Sequence, residues 1–202
     1  VQVRTRHTPA FGVARLMLAP DEAVRADYGA MMATSFGVVI NTGGRGGKRA
    51  RGTYEAVFTA PAEGGWIDLA PGKAGDVHTI EMDGTSGWCV ARGSALAMAS
   101  SVRPDPQWPG LHALFGSEGG FVEHLTGHGA VVLACGGALD LVMLEAGEFV
   151  TVAPEYLLAY HDAIQCRLRA VDQTSAQSVR TGEGLLLDFA GPGQLLIQTR
   201  NF

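Results

Sequence analysis

Six histidines, His7, His78, His112, His124, His128 and His161, are the first candidates for acid-base or metal chemistry. Only His124 and His128 lie four residues apart, the spacing that puts two ligands on one face of a helix. Thr126, Gly127 and Gly129 break any helix there and make the segment a strand running into a turn. With no His-x-His pair followed by a glutamate, the spacing predicts no metal site. Ser94, Ser100, Ser101 and Ser117 lack the Gly-x-Ser-x-Gly elbow that exposes a serine nucleophile. Glu118 and Glu183, each beside glycine, are expected to accept backbone N–H groups at strand entries rather than to move protons. These residues predict no catalytic constellation, no metal and no cofactor, and the chain is read as a non-enzyme.

Two segments could bind rather than react. Arg45, Lys48, Arg49 and Arg51 are interspersed with Gly43, Gly44, Gly46 and Gly47. Glycines let backbone N–H groups approach an anion while the basic side chains neutralise it. The segment is not a P-loop, which needs Gly-Lys followed by Ser or Thr and then a helix; the competing reading is a hairpin tip kept soluble by its charges. Trp108, Leu111, Leu114 and Phe115 form an apolar cluster broken by proline and glycine. Trp108 and Phe115 are candidates for an apolar contact, either a plug or subunit interface, or a lip that touches a ligand or membrane.

The elements that must position these residues are short strands. The 202 residues are 47% hydrophobic and 17% charged, which is material for a sizeable core. A net charge of −5 repels a polyanion over most of the surface and argues against nucleic acid as a partner. Cys89, Cys135 and Cys166 lie far apart in apolar runs, which fits a reducing cytoplasm better than a disulfide framework. The N-terminal residues lack the apolar stretch of a secretory signal, and no run is long enough to be a transmembrane helix.

Apolar residues recur with period two, as in Ile164, Cys166, Leu168 and Ala170 with Gln165, Arg167 and Arg169 between them. Runs at Val131 to Cys135, Leu139 to Leu144, Leu185 to Phe189 and Leu195 to Gln198 are separated by glycine-rich or Asp-Gly turns, as at Asp83 and Gly84. The fold class is all-β, with one short helical segment expected near residues 108–115, where Pro109 could sit in a first turn. The chain also repeats. Val90, Ala91, Leu96 and Ala97 return 62 residues on as Val152, Ala153, Leu158 and Ala159, and Val131 to Leu133 align with Leu195 to Ile197. Leu18, Glu22, Val24 and Ala33 return as Leu144, Glu148, Val150 and Ala159, and Phe58 and Pro61 as Phe189 and Pro192. Three pseudo-repeats in a single domain follow, at approximately 1–68, 69–132 and 133–202.

The segments ADYGAMMATS (26–35), FTAPAEGGWIDLAPGKAGD (58–76), GSALA (93–97), QWPGLHALFGSEG (107–119) and GEGLLLDFAGPGQLLIQTRN (182–201) resemble the altered inheritance of mitochondria protein 24 family over nearly the whole chain. The resemblance implies a fold similar to the tryptophan RNA-binding attenuation protein: a short double-stranded β-helix unit, three per chain, with chains closing into a ring. It implies no catalytic residues. The chain departs from the family at the basic GGRGGKRARGTYEAVF (43–58), where relatives carry a longer glycine-rich loop. The leading functional expectation is a non-enzymatic oligomeric binding or scaffold protein. The alternatives are a nucleic-acid-binding ring and an enzyme with an unrecognised pocket. A repeat array that stops after three units leaves an open sheet edge at each end. The alternating VQVRTR (1–6) and apolar QLLIQTRNF (194–202) are expected to supply these edges, and head-to-tail pairing of them predicts a homo-oligomer, a cyclic trimer.

Overall fold

The computed structural model describes residues 1–42, 55–108, 121–170 and 184–201. Its regular structure is almost all antiparallel β-strand; among the described residues the only helical turns are 3-10 turns at Tyr28–Ala30 and Pro154–Tyr156. No helix among them is long and apolar enough to cross a membrane. The helix expected near 108–115 lies outside the described residues apart from Trp108, which has no regular structure.

A four-stranded sheet runs β1 (Gln2–Arg6), β2 (Val13–Leu18), β7 (Gly65–Leu69), β4 (Met31–Thr34). A six-stranded sheet follows: β5 (Val39–Asn41), β6 (Glu55–Thr59), β3 (Ala23–Asp27), β10 (Ala95–Ala99), β13 (His128–Ala134), β8 (Val77–Asp83). A second has the order β11 (Arg103–Pro104), β12 (Val122–Thr126), β9 (Trp88–Ala91), β16 (Leu157–His161), β19 (Gly193–Gln198), β14 (Leu139–Leu144). The last sheet is β15 (Phe149–Val152), β18 (Leu185–Ala190), β17 (Gln165–Ala170).

The sequence pattern dictates these strands locally. In β18 the leucines and Phe189 alternate strictly between buried and half-buried, so one face of the pleat meets the core. Asp83 ends β8 because its carboxylate accepts N–H groups from Thr85 and Ser86, while Gly84 takes the positive φ of +84° that closes the turn.

One arrangement occurs three times. β7 lies between β2 and β4, β13 between β8 and β10, and β19 between β14 and β16. Each central strand meets its second neighbour across a register shift, between Met31 and Ala33, Ala95 and Ala97, and Leu157 and Ala159. Glu22 accepts the Ala19 N–H at 2.8 Å, and Glu148 accepts the Glu145 N–H at 2.7 Å, so both close the same three-residue loop. Phe58 and Phe189 are both fully buried. Phe11, Gly75 and Gly137 meet in parallel bridges, with Gly12 N–H donating to Gly75 O and Asp76 N–H to Gly137 O, each at 2.8 Å. A Cβ on Gly75 would stand 1.9 Å from the Cys135 carbonyl oxygen, so only glycine fits there.

Two seams join the arrangements. Across the first, β3 pairs with β10, placing Ala26 opposite Ala97, Arg25 opposite Met98 and Val24 opposite Ala99. Across the second, β9 pairs with β16, placing Val90 opposite Ala159, Cys89 opposite Tyr160 and Trp88 opposite His161. The core crosses both seams: Leu96, Ala97 and Val132 pack with Val24 and Phe58, and Leu158, Ala159 and Leu196 pack with Val90 and Val131. Each fully buried aliphatic or aromatic side chain contributes about 1.5–3 kcal/mol relative to exposure.

Candidate functional site

The features that set this molecule apart from a closed core are two unfinished seams. β4 stands where β10 and β16 stand in the other two arrangements, yet among the described residues it pairs only with β7. β15 stands where β3 and β9 stand, yet among the described residues it pairs only with β18. Both strands therefore expose a row of backbone donors and acceptors whose counterparts elsewhere in the fold are paired. Exposed apolar side chains lie at the same two edges: Met32 within β4, Phe36 just beyond it and fully exposed, and Phe149 at the start of β15, 77% exposed. Of the two termini that the sequence led us to expect at sheet edges, β1 does stand at the edge of its sheet, and the C-terminal strand does not. β19 lies inside its sheet between β16 and β14, and beyond it Thr199 and Arg200 N–H groups donate to the carbonyls of Ala138 and Gly136. An apolar strand near the C-terminus satisfies its hydrogen bonds within the chain.

The open unit also holds the strongest ion cluster among the described residues. Asp68 on β7 is 2% exposed and receives four N–H bonds, two from Arg6 at 3.1 and 2.8 Å and two from Arg15 at 2.7 and 2.8 Å. Hydrogen bonding to Arg15 above all, with Arg6 beside it, holds the Asp68 carboxyl well below the usual carboxylate range. The Arg15 guanidinium lies 4.0 Å from the centre of the Trp66 ring, a cation–π contact. At the equivalent position beside the register shift the other two units carry Val132 and Leu196, both buried.

A polar node stands at the second seam. His124 on β12 is 6% exposed, with Nε2 3.0 Å from Asp162 Oδ2. The same Asp162 oxygen accepts the Gly87 N–H at 2.8 Å. The Trp108 ring stacks on the imidazole at 4.9 Å and 22°, and Asp105 Oδ2 lies 3.6 Å from Nδ1. A side chain at Gly87 would collide with His124, because its Cβ would stand 2.2 Å from Nε2. Trp88 meets His161 edge to face at 5.4 Å. A histidine held by an aspartate is half of a catalytic arrangement; no activated nucleophile stands beside it among the described residues. The neighbouring Cys89 thiol is pushed up to about 12 by burial and is inert as a thiolate. The node reads as a hydrogen-bonded pin across the seam.

His124 and His128 are not brought together: His124 is buried on β12, and His128 is exposed on β13 in a different sheet. Among the described residues no group of three or more His, Cys, Asp or Glu side chains is arranged to hold a metal ion. Trp108 is half-buried against the third core cluster as well as stacked on His124. Phe115, Glu118, Glu183 and the basic positions Arg45, Lys48, Arg49 and Arg51 lie outside the described residues. The sequence did not single out Asp105, Asp162 or Asp68, because nothing in their spacing links them to the partners they meet across strands.

The sequence model of the family described as Mitochondrial biogenesis AIM24 matches residues 3–200. An uncharacterized protein of Streptococcus pyogenes serotype M6 is 27% identical over 139 residues, which cover 68% of this chain and 55% of that protein. The chain thus spans about half the length of that curated relative. A crystal structure of a Streptococcus pyogenes protein superposes with a TM-score of 0.76 at 21% identity, covering 99% of this chain and 94% of the other, and shows a shared fold.

Proposed function

The chain belongs to the Mitochondrial biogenesis AIM24 family, and on that premise we propose that it is a non-enzymatic scaffold of three attenuation-protein-like repeat units that closes with two further copies into a ring. The observation that carries the reading is that β4 and β15 copy the strands paired at the two internal seams. A head-to-tail contact of this kind must close or grow into a filament. Extending the internal registers sets Ala33 of one copy opposite Val152 of the next, and Thr34 opposite Thr151. Pairing there would satisfy the open backbone groups and cover Met32 and Phe149. A net charge of −5 on each chain favours a protein partner over nucleic acid for such a ring. The three free cysteines, two of them buried, fit a reducing compartment such as the cytoplasm.

The test is a Thr34→Cys/Thr151→Cys double variant, whose new cysteines fall on directly opposed strand positions in the proposed ring. Under mild oxidation the variant is expected to give chains linked up to three, and light scattering on the unmodified protein a mass of three times 21.2 kDa. A stable single-chain species at micromolar concentration, with no cross-link, would sink the ring.

A further inference from the structure

The strand that opens each of the three arrangements has an outer edge, and the three copies treat it differently. In the first, β1 lies along the outer edge of β2, antiparallel in register from Gln2 opposite Met17 to Arg6 opposite Val13. The other two carry no such strand among the described residues: β8 and β14 each end their sheet and pair with β13 and β19 alone. Chain length explains the difference. β1 and its link to β2 take up residues 2–12, whereas β7 reaches β8 through 70–76 and β13 reaches β14 through 135–138, which is too little chain for a strand and a turn.

The two uncovered edges are not alike. β8 carries the exposed charges of Glu81 and Asp83, the kind of residue that keeps a sheet edge from pairing. β14 has one charged residue, Asp140. At the positions of Thr79 and Glu81 in β8 it presents Leu141 and Met143, 50% and 62% exposed. Leu139, Val142 and Leu144 anchor the same strand in the core. An ordered edge that is apolar and nearly without charge is a template for one more strand.

We propose that the edge of β14 is a docking site for an extended segment of a partner protein, which adds to it as β1 adds to β2. β1 supplies the register. The partner residues opposite Met143, Val142, Leu141 and Asp140 take the places that Gln2, Val3, Arg4 and Thr5 hold along β2. The first three are apolar, to cover Leu141 and Met143 and to follow Val3 in packing on the core side. The fourth is basic and meets the Asp140 carboxylate. Backbone N–H and C=O groups of the segment pair with those of β14, which is recognition by strand addition. β4 and β15 take no part, so the site and the ring fail separately.

The probe is a fluorescein-labelled peptide of sequence GGVVLKTG, titrated into the full chain and followed by anisotropy. It is expected to bind saturably. Methyl groups on one alternate set of its valine, leucine, lysine and threonine amides block one edge of the peptide strand, and those on the other set block the opposite edge. One methylated form should therefore bind at least tenfold more weakly, and the other should bind like the parent. Leu141→Lys and Met143→Lys, both at half-exposed side chains, should each weaken the parent peptide at least tenfold, with the thermal midpoint and the mass by light scattering unchanged. No binding, an equal effect of the two methylated forms, or binding that survives both substitutions would overturn the site, the last by placing the peptide on another edge such as β4 or β15. A fall in mass on substitution would make a second copy of the chain the occupant and overturn it as well. Should the lysine variants fail to fold, Leu141→Ser and Met143→Ser, with the methylated pair on the unmodified chain, still decide the question.

Discussion

The first and second seams are built on the same strand pairing and spend it differently. At the second, Tyr160, Cys89 and Cys166 close the space, and the pin from Gly87 through Asp162 to His124 locks the strands across it. At the first, Arg25, Met98 and Glu123 line a charged hollow. Burial pushes all three groups of the second seam toward their neutral forms, with the Cys89 and Cys166 thiols up to about 12 and the Tyr160 hydroxyl higher still. Such groups stay neutral and pack the seam. The two joints share backbone pairing while their side chains vary independently.

The largest expected effect breaks the filled seam. Tyr160→Ala removes a fully buried ring that packs on Phe189 and leaves a cavity beside two thiols. Large-to-small changes of this size cost about 3–5 kcal/mol, and chemical denaturation should show a drop of that order with an unchanged slope. The matching truncation at the first seam, Met98→Ala, should cost less than half as much, since Met98 is only half-buried at the wall of an existing cavity. Equal losses at the two positions would mean that the seams do not differ in packing.

A smaller effect separates the open unit from the other two. Asp68 takes a position occupied elsewhere by Val132 and Leu196, and its charge is held by Arg6 and Arg15. Folding lowers the Asp68 pKa, so the stability it confers is complete above the ordinary value of an unfolded aspartate and is lost as pH falls toward the folded value. Asp68→Asn should lower the thermal midpoint at neutral pH by several degrees, less than Tyr160→Ala because both guanidiniums are about a third exposed and screened by water. The gap between variant and parent should close on acidification. A gap that stays constant down to pH 2 would show that the carboxylate charge is not the cause.

Strand positions were legible in the sequence because their signal is local. The alternation from Ile164 to Ala170 became β17, and Leu139 to Leu144 became β14 with the same limits. Matched residues take like places where both are buried, as with Leu96 and Leu158 or Phe58 and Phe189, and where one loop closure needs one side chain, as with Glu22 and Glu148. The hollow and the pin were not legible. Arg25 meets Glu55 and the Val102 carbonyl across 30 and 77 residues of chain, and His124 meets Asp162 across 38. Neither distance is a helical or strand period, so spacing carries no trace of them. The C-terminal strand was expected at an edge for a related reason: apolar alternation marks a strand, but whether that strand lies inside a sheet depends on partners far along the chain, as β19 shows.

The smallest effect concerns the hollow seam. Folding raises the pKa of Glu123, with burial as the main cause, so the ionised carboxylate costs the fold stability above its folded value and nothing below the value of an unfolded glutamate. Glu123→Gln keeps the shape and removes the charge. At neutral pH it should raise the thermal midpoint slightly, by about 2 °C on a scale where 1 kcal/mol moves a chain of this size by about 2–4 °C. At pH 3, where the parent carboxyl is protonated, the two proteins should melt together. The sign is the informative part: a stabilising loss of charge means that burial outweighs the pull of Arg92 and Arg25 on the Glu123 carboxylate, whereas a destabilising one would mean that the two arginines outweigh burial.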